Sequence, residues 1–363
     1  MTSLLLTICE DFVAKKLLFV FGTRPEAIKI APVVAELRAL GVEPDLLCTG
    51  QHTDLLDGSP ARTELAGAEN ANIASDGSVT RWMMRARPAL RAAFQLAEPA
   101  CVVVQGDTMS ALAAAAAASE LGVPVAHIEA GVRSHDLGQP WPEEANRVEI
   151  SKLALHHLAP TETAAANLVY ERVGGVIKVT GNTAVSALVR YSRAEPALVV
   201  LPYVVVTLHR RESQPHANML AAKVIACARV HPTLTFVWPL HPSFGKALGL
   251  ASLELPPNLR ITSPVGYSTF VESVAQATAV VTDSGGLVEE ACTLGVPALI
   301  VRAVNDRPEA VEAGRALLVD PQGDLVGRFA EVLTLPRTPS AAYGTPAAAA
   351  TVASYLAGLV RFS

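Results

Sequence analysis

The stretch KKLLFVFGTRPEAIKIAPV, residues 15–33, reads as the first strand, turn and helix of a βα unit. LLFVF is a short continuous apolar run, which is typical of a parallel strand that is buried on both faces. The turn and helix that follow carry three charged residues, Arg24, Glu26 and Lys29. Polar groups just after a buried strand stand where α/β proteins bind ligands, so we expect this turn to face an anionic ligand.

The alternation of strand and helix continues along nearly the whole chain and predicts an α/β fold. Strand-like runs lie near residues 16–21, 44–49, 100–105, 124–128, 156–159 and 176–180, and a second series continues through YVVVTLHRR (203–211), LTFVWPLHP, NLRITSP, AVVTDSGG and PALIVRA. We predict two Rossmann-like, doubly wound domains with a cleft between them, at residues 1–190 and 200–345. The polar stretch between Arg193 and Pro202 is the expected linker, and residues 346–363 are expected to form a helix that packs back on the N-terminal domain.

Composition excludes several classes of function. Half of the 363 residues are apolar and 17% are charged, as in compact globular proteins. With 29 basic and 34 acidic residues the net charge is −5, so no general positive field attracts nucleic acid or an acidic membrane. The five cysteines show no CxxC or zinc spacing, and the N-terminal MTSLLLTICEDFVAKK is a poor signal peptide. We expect a cytoplasmic protein with free thiols, no nucleic-acid partner and no membrane partner.

Polar and charged side chains follow almost every strand-like run. Ligands of doubly wound sheets bind beyond the carboxyl ends of the strands, so these segments are the candidate site. They are GTRPEAIK (22–29), TGQH (49–52), QGDT (105–108), HIEAGVR (127–133), TGN (180–182), TLHRRE (207–212), PLHP (239–242), TDSGG (282–286) and RAVNDRPE (302–309). Such a concentration of reactive groups favours an enzyme over a structural protein.

TDSGGLVEEA lies between a strand and a helix, and its small residues Ser284, Gly285 and Gly286 would let an anion approach backbone N–H groups. The alternative is a Ser N-cap followed by glycines for a tight turn. Glu290 can reach back towards ribose hydroxyls, or it is a solvated helix charge. No GxGxxG or GxxxxGK[ST] motif follows a strand, which argues against nicotinamide cofactors and ATP-type phosphate loops. These absences leave a nucleotide diphosphate as a candidate ligand.

Three carboxylates stand at strand ends or close by, Asp107, Glu129 and Glu143. Partial burial can raise the pKa of such groups until they exchange protons near neutral pH, although each could instead cap a helix or form an ion pair. His209 lies beside two arginines, which would lower its pKa, whereas a bound diphosphate would raise it. No spacing of carboxylates and histidines indicates a metal site.

These motifs together resemble one family. GTRPEAIKIAPV, TGQH, VVVQGDT, HIEAGVRS, PWPEEANR, VTGNTAV, TLHRRES, TDSGGLVEEA and RPEAVEAG occur in the order found in bacterial non-hydrolysing UDP-N-acetylglucosamine 2-epimerases. The resemblance spans about residues 16 to 346. It implies a glycosyltransferase-B-type fold, a homodimer, no cofactor, and interconversion of UDP-GlcNAc with UDP-ManNAc, with UDP as the released and recaptured partner.

The resemblance also implies roles for particular residues. Asp107, Glu129, Glu143 and His209 would line the reaction centre, and Arg24, Lys29 and Arg307 would contact the nucleotide or its phosphates. Phe270 would stack on uracil, Ser284, Gly285 and Gly286 would form the diphosphate turn, and Glu290 would bind ribose. An activating second UDP-GlcNAc would contact Gln51, Arg85, Glu143, Arg210 and His241.

Two departures from the family pattern bear on these roles. A second glutamine three residues after Gln51 is replaced by Asp54, whose charge would repel a diphosphate, and residues 57–80 are short and rich in Gly, Ala and Ser. The Thr-Thr-Glu that precedes Arg307 in the family is Val304, Asn305 and Asp306 here. The first departure concerns allosteric activation, and the second concerns sugar or phosphate contacts.

Three other functions agree with the same motifs. A hydrolysing 2-epimerase would release free N-acetylmannosamine and UDP, and a glycosyltransferase would need an acceptor groove and show no exchange at carbon 2. A nucleotide-sugar sensor would bind without turnover. The complete set Asp107, Glu129, Glu143 and His209 speaks against a sensor, because a binding protein has little need of buried proton-transfer groups.

Overall fold

Two parallel β-sheets organise the chain, as the alternating pattern predicts. The structure is a computed structural model that describes residues 16–50, 55–73, 77–192, 202–248 and 254–361. We call β1–β7 with their helices the N-terminal half, and β8–β13 with theirs the C-terminal half. Among the described residues, no helix has the length and apolar character needed to cross a membrane.

The first sheet has seven strands in the order β3-β2-β1-β4-β5-β6-β7. The strands are β1 Leu17–Phe21, β2 Asp45–Cys48, β3 Glu69–Asn70, β4 Cys101–Gln105, β5 Val125–Ile128, β6 His156–Ala159 and β7 Val176–Val179. The helices of this half are α1 Arg24–Ala39, α2 Val79–Ala97, α3 Met109–Glu120, α4 Glu143–Leu153, α5 Glu162–Tyr170 and α6 Thr183–Tyr191, with a 3-10 turn at Pro60–Arg62.

The second sheet has six strands in the order β10-β9-β8-β11-β12-β13. The strands are β8 Tyr203–Thr207, β9 Thr235–Pro239, β10 Leu259–Thr262, β11 Ala279–Thr282, β12 Ala298–Val301 and β13 Ala316–Val319. The helices of this half are α7 Ala217–Val230, α8 Pro242–Ala247, α9 Tyr267–Gln276, α10 Gly285–Leu294, α11 Glu309–Glu312 and α12 Leu325–Val332, with a 3-10 helix at Arg211–His216. Helix α13 Ala348–Arg361 ends the described chain.

Strand β1 shows why these runs are apolar throughout. Phe19 and Phe21 pack on the side of the sheet that also holds α1 and α13, whereas Leu18 and Val20 pack with α2 and α3 on the other side. All five β1 residues are buried. A strand covered on both faces has no polar face, so its sequence shows a continuous apolar run instead of alternation.

The order of the strands locates the site. The chain leaves β1 towards one edge of the sheet and returns to β4 on its other side, and it does the same between β8 and β11. A crevice opens at each such reversal, beyond the carboxyl ends of the strands. The turns at the two reversals are Gly22–Arg24 with Gly106–Asp107, and Leu208–Arg210 with Asp283–Ser284.

Helix α13 lies in the N-terminal half although it ends the chain. Its residues Val352 and Leu356 share a core with Val34 and Leu37 of α1, and Arg361 donates a hydrogen bond to the carbonyl of Leu40 at 2.7 Å.

The predicted linker falls within residues 193–201, outside the described residues, so the domain limits stay a prediction.

Candidate active site

The first turn of α1 is held from inside by Glu26. Its Oε2 accepts hydrogen bonds from the backbone N–H groups of Gly22 and Thr23, at 3.0 and 2.8 Å, and from the Thr23 hydroxyl. Its Oε1 accepts from the Thr108 hydroxyl at 2.6 Å. Burial raises the pKa of Glu26 to about 7, although these hydrogen bonds oppose the shift. Glu26 therefore joins the turns after β1 and β4, whereas Arg24 and Lys29 line the cleft between the two halves.

A cavity of about 360 Å³ lies between the two halves; we call it the central cavity. The N-terminal half supplies one wall, from α1 and α6. The C-terminal half supplies the other wall, from the ends of β8, β9 and β11 and from α9 and α10. Eight of the residues singled out in the sequence line it, namely Arg24, Lys29, His209, His241, Phe270, Ser284, Gly286 and Glu290. The cavity thus combines cations, an aromatic ring and a helix N-terminus.

The glycine turn at the start of α10 faces this cavity through Ser284 and Gly286. Gly285 faces Arg307 instead, because a Cβ built on Gly285 would lie 2.6 Å from Nη1 of Arg307. A Cβ on Gly286 would meet nothing within 4 Å. The first glycine therefore makes room for a buried guanidinium, and the second leaves open space where the helix N-terminus can meet an anion.

Glu290 is held by Tyr267, whose hydroxyl donates to Oε1 at 2.8 Å. Both side chains line the central cavity. Burial raises the pKa of Glu290 to about 7, with a further contribution from the neighbouring Glu289 and opposition from the Tyr267 hydrogen bond. The carboxyl group is thus oriented by a phenol and can accept from ligand hydroxyls.

The turn that carries His209 is fixed by Asp283, which is completely buried. Its carboxylate accepts from the N–H groups of His209 and Arg210 at 3.0 Å and from the Ser213 hydroxyl at 2.7 Å. Nδ1 of His209 lies 3.4 Å from Oδ1 of Asp283. Burial lowers the pKa of His209, Arg210 and His241 act in the same direction, and Asp283 opposes them. His209 therefore has a fixed acceptor beside it that can stabilise a proton gained on ligand binding.

Asp107 and Glu143 line a second cavity of about 300 Å³, which we call the acid cavity. Burial and the negative charge of Asp107 raise the pKa of Glu143. Thr23 lines the acid cavity while its neighbour Arg24 lines the central cavity. The two cavities therefore lie on either side of a single turn.

Glu129 is engaged on both oxygens. Oε2 accepts from Lys29 at 2.5 Å and from the Gln105 amide at 2.7 Å, and Oε1 accepts from Arg307 at 2.8 Å. Burial alone would raise its pKa, but the positive charges of Lys29 and Arg307 outweigh burial and lower the pKa to about 2. In this arrangement Glu129 is a fixed anion.

Arg307 is the centre of a buried charge network. It donates to Glu129, to Glu289 at 2.5 Å and to Asp306 at 2.7 Å. These partners are all buried, and their charges raise the pKa of Arg307 well above its usual value despite burial. Its guanidinium is thus held by carboxylates, and its expected contact with a phosphate stays a prediction.

The allosteric set is not gathered in one cavity. Gln51 and Asp54 lie outside the described residues, and Arg85 is exposed on α2. Glu143 lines the acid cavity and His241 the central cavity, while Arg210 lines a third cavity of about 420 Å³. The binding of a second nucleotide sugar by this set stays a prediction.

Four charged residues of the site received no individual role from the sequence: Glu26, Arg147, Asp283 and Glu289. Each lies inside or beside a quoted motif, and each is buried. Sequence shows that a charge is present but not whether it points to a ligand or to another side chain. The signal that was available is the excess of charge within segments that must be largely buried.

Comparisons with known proteins agree with this architecture. The family model described as UDP-N-acetylglucosamine 2-epimerase matches residues 35–357. A protein of Ralstonia nicotianae named "Probable UDP-N-acetylglucosamine 2-epimerase" is 38% identical over 326 residues, which are 84% of this chain and 87% of the relative.

Two solved structures resemble the whole chain. UDP-GlcNAc 2-epimerase from Neisseria meningitidis, bound to UDP-GlcNAc, has a TM-score of 0.85 and 33% identity, covering 94% of this chain and 99% of that one. The Methanocaldococcus jannaschii enzyme, in complex with UDP-GlcNAc and UDP, has a TM-score of 0.86 and 31% identity with the same coverage. These likenesses confirm the expected glycosyltransferase-B-type fold. The sequence match over most of the chain shows that it belongs to the UDP-N-acetylglucosamine 2-epimerase family.

Proposed function

We propose that this enzyme interconverts UDP-GlcNAc and UDP-ManNAc without hydrolysis, by eliminating UDP to give 2-acetamidoglucal and adding it back. The observation that carries the proposal is the position of the two cavities on either side of the Thr23–Arg24 turn. Neighbouring residues of one turn line the two cavities, so we infer that a ligand held in the central cavity presents its sugar to Asp107 and Glu143. A nucleotide-sugar sensor would have no use for that second cavity.

The chemistry requires both cavities. The hydrogen on carbon 2 is not acidic while the anomeric bond is intact, because no carbonyl group is attached to that carbon. When the bond between carbon 1 and the diphosphate oxygen breaks, its electron pair leaves with UDP and carbon 1 becomes electron-poor. A carboxylate then takes the proton from carbon 2, and the C–H electrons form the C1=C2 double bond. Return of a proton from the opposite face and re-addition of UDP complete the inversion.

The central cavity would bind the nucleotide and the departing charge. In this proposal Phe270 would stack on the base, Glu290 would accept from ribose, and the N-terminus of α10 would meet the diphosphate. Arg24 and His209 line the same cavity and can offset the negative charge that grows on UDP, whereas Lys29, which also lines it, is paired with Glu129. His209 begins with a lowered pKa, so a bound diphosphate would make it take up a proton.

Asp107 and Glu143 are the proton carriers that the geometry favours. They share the acid cavity, and burial and the charge of Asp107 raise the pKa of Glu143, which is the direction that favours its use as an acid. Glu129 would act differently, since both its oxygens are occupied and its pKa is low. We assign it the task of fixing Lys29 and Arg307.

The supporting comparison is that the Neisseria and Methanocaldococcus enzymes are bound to UDP-GlcNAc. We extend that ligand to this chain because the cavity-lining residues match the motifs quoted from its sequence. The homodimer, the cytoplasmic location and the domain limits 1–190, 200–345 and 346–363 stay predictions.

Product analysis tests the proposal against its nearest alternative. The enzyme is incubated with UDP-GlcNAc and, separately, with UDP-ManNAc, and nucleotide sugars, UDP and free sugars are separated by chromatography. We expect the same mixture of the two nucleotide sugars from either side. Accumulation of free N-acetylmannosamine with stoichiometric UDP would establish the hydrolysing reaction instead.

A further inference from the structure

Arg147 of α4 makes an unusual set of contacts with three carboxylates. Its side chain is 3% exposed, and its Nε and Nη2 both donate to Oδ2 of Asp107, at 2.8 and 2.6 Å. Nη1 donates to Glu144 at 3.0 Å. Nη2 also donates to Oδ2 of Asp306 at 2.8 Å. One guanidinium therefore links the carboxylate of Asp107 to a carboxylate that follows β12.

Asp306 belongs to the C-terminal half and is fully buried as a side chain. Its other oxygen, Oδ1, accepts from Arg302, and Arg307 donates to Oδ2. Burial would raise its pKa, but Arg307, Arg147 and Arg302 outweigh burial and hold the pKa well below its usual range. The contact between Arg147 and Asp306 thus joins two charged groups, one from each half, at a point closed to water.

The contacts of Asp107 are asymmetric in a way that suits proton transfer. Both bonds from Arg147 fall on Oδ2, and within the described residues Oδ1 has no hydrogen-bond partner. Asp107 also lines the acid cavity. Two hydrogen bonds from one guanidinium to the same oxygen hold that oxygen in place and leave the other oxygen for a substrate.

We propose that Arg147 is a positioning residue of the reaction, and that Asp306 of the C-terminal half keeps it in place. Asp107 then has its productive orientation only when the two halves are seated on each other through this bridge. The inference rests on the proposed function, because it assigns Asp107 the transfer of a proton. A lysine could replace the charge of Arg147, but its single nitrogen cannot reproduce the paired contact with Asp107 and the bond to Asp306.

Two variants test the bridge, Arg147→Lys and Asp306→Asn, with Asp306→Glu as the conservative variant that keeps the carboxylate. Arg133→Lys is the matched control. Arg133 is equally buried and donates to Glu171 at 2.7 and 2.8 Å, but its partners all lie in the N-terminal half and away from the acid cavity. It shares the cost of disturbing a buried arginine without touching Asp107.

The readouts are kcat, KM and the primary isotope effect with substrate deuterated at carbon 2. For Arg147→Lys and Asp306→Asn we expect kcat to fall by about tenfold to a hundredfold, as a small misplacement of a reacting group can do. KM should change little, the isotope effect on kcat should rise because proton transfer becomes slower, and Asp306→Glu should recover most of kcat. Arg133→Lys should lower Tm and leave the isotope effect as in wild type.

Unchanged kcat in Arg147→Lys would overturn the inference, and so would a fall in kcat with no change in the isotope effect. An equal fall with the same isotope effect in Arg133→Lys would reduce the bridge to a purely structural role. If Asp306→Asn does not fold, the kcat and isotope effect of Arg147→Lys alone test the inference. Wild-type enzyme that shows no exchange at carbon 2 would instead refute the proposed function, so the two failures are distinguishable.

Discussion

Nζ of Lys29 lies 2.5 Å from Oε2 of Glu129, although the two residues are 100 positions apart in the chain. Their side chains are 15% and 5% exposed. This pair joins the first helix to the end of β5 and, through Arg307, to the C-terminal half. A buried ion pair contributes little net stability when it is complete, but removing one partner leaves an unpaired charge.

We expect Glu129→Gln to lower the free energy of unfolding by about 3–5 kcal/mol, because Lys29 and Arg307 each lose one of the buried carboxylates that neutralise them. Urea denaturation measures the change. The control is Asp45→Asn, which breaks the exposed pair between Lys16 and Asp45 and should cost about 1 kcal/mol or less. Equal effects of the two substitutions would show that the Glu129 cluster is not a buried network.

The proton carriers should affect turnover more than nucleotide binding. For Asp107→Asn and for Glu143→Gln we expect kcat to fall by about a hundredfold or more, because each loses a group that transfers a proton. The Kd of UDP should change by less than about threefold in both, since the nucleotide would occupy the other cavity, where a bound ligand would not contact them. Steady-state kinetics and calorimetry provide the two numbers. Wild-type turnover in Asp107→Asn would exclude it as a proton carrier.

The two glycines of the α10 turn should respond differently to the same change. Gly285→Ala places a methyl group 2.6 Å from Nη1 of Arg307, so we expect a loss of about 1–3 kcal/mol in unfolding free energy. Gly286→Ala meets open space in a helical position, so it should be neutral or stabilising by about 0.5–1 kcal/mol. Thermal unfolding compares the two. The opposite order would mean that Arg307 does not occupy this position.

The raised pKa of Glu290 should make the free energy of unfolding depend on pH. Its pKa rises from 4.5 to about 7 in the folded chain, chiefly through burial. Between these values the folded state binds more protons than the unfolded state, so this contribution makes the unfolding free energy fall as pH rises, and it levels off above about 7. Glu290→Gln removes the contribution. The difference between wild type and variant should therefore fall from about pH 5 to about pH 7, and a difference that is constant with pH would contradict the assignment.

The sequence was a good guide to the fold wherever strands are buried on both faces. The predicted runs near 16–21, 100–105 and 124–128 are confirmed as Leu17–Phe21, Cys101–Gln105 and Val125–Ile128. Two strands were missed. Glu69–Asn70 is short, exposed and polar, and Ala316–Val319 has only four residues at the edge of its sheet. Glu69–Asn70 lacks the apolar run that identifies a strand, whereas Ala316–Val319 (ALLV) is apolar throughout and as long as several strands that were predicted.

For the site, the sequence identified the segments involved but not which way their charged side chains point. It placed Arg24, Lys29, Ser284 and Glu290 at strand ends or on the helices that follow, and the structure brings all four to one cavity. It could not tell that Glu26 caps the turn while Arg24 lines the cleft. Pairing of charges that lie far apart in the chain, such as Arg147 with Asp306, depends on how the two halves meet.

The most direct test of the central claim is the incubation of wild-type enzyme with UDP-GlcNAc in heavy water, following carbon 2 by NMR. The elimination and re-addition route predicts deuterium at carbon 2 in both UDP-GlcNAc and UDP-ManNAc, with UDP returned to the sugar. Formation of UDP-ManNAc that retains its original hydrogen at carbon 2, or no turnover at all, would contradict it.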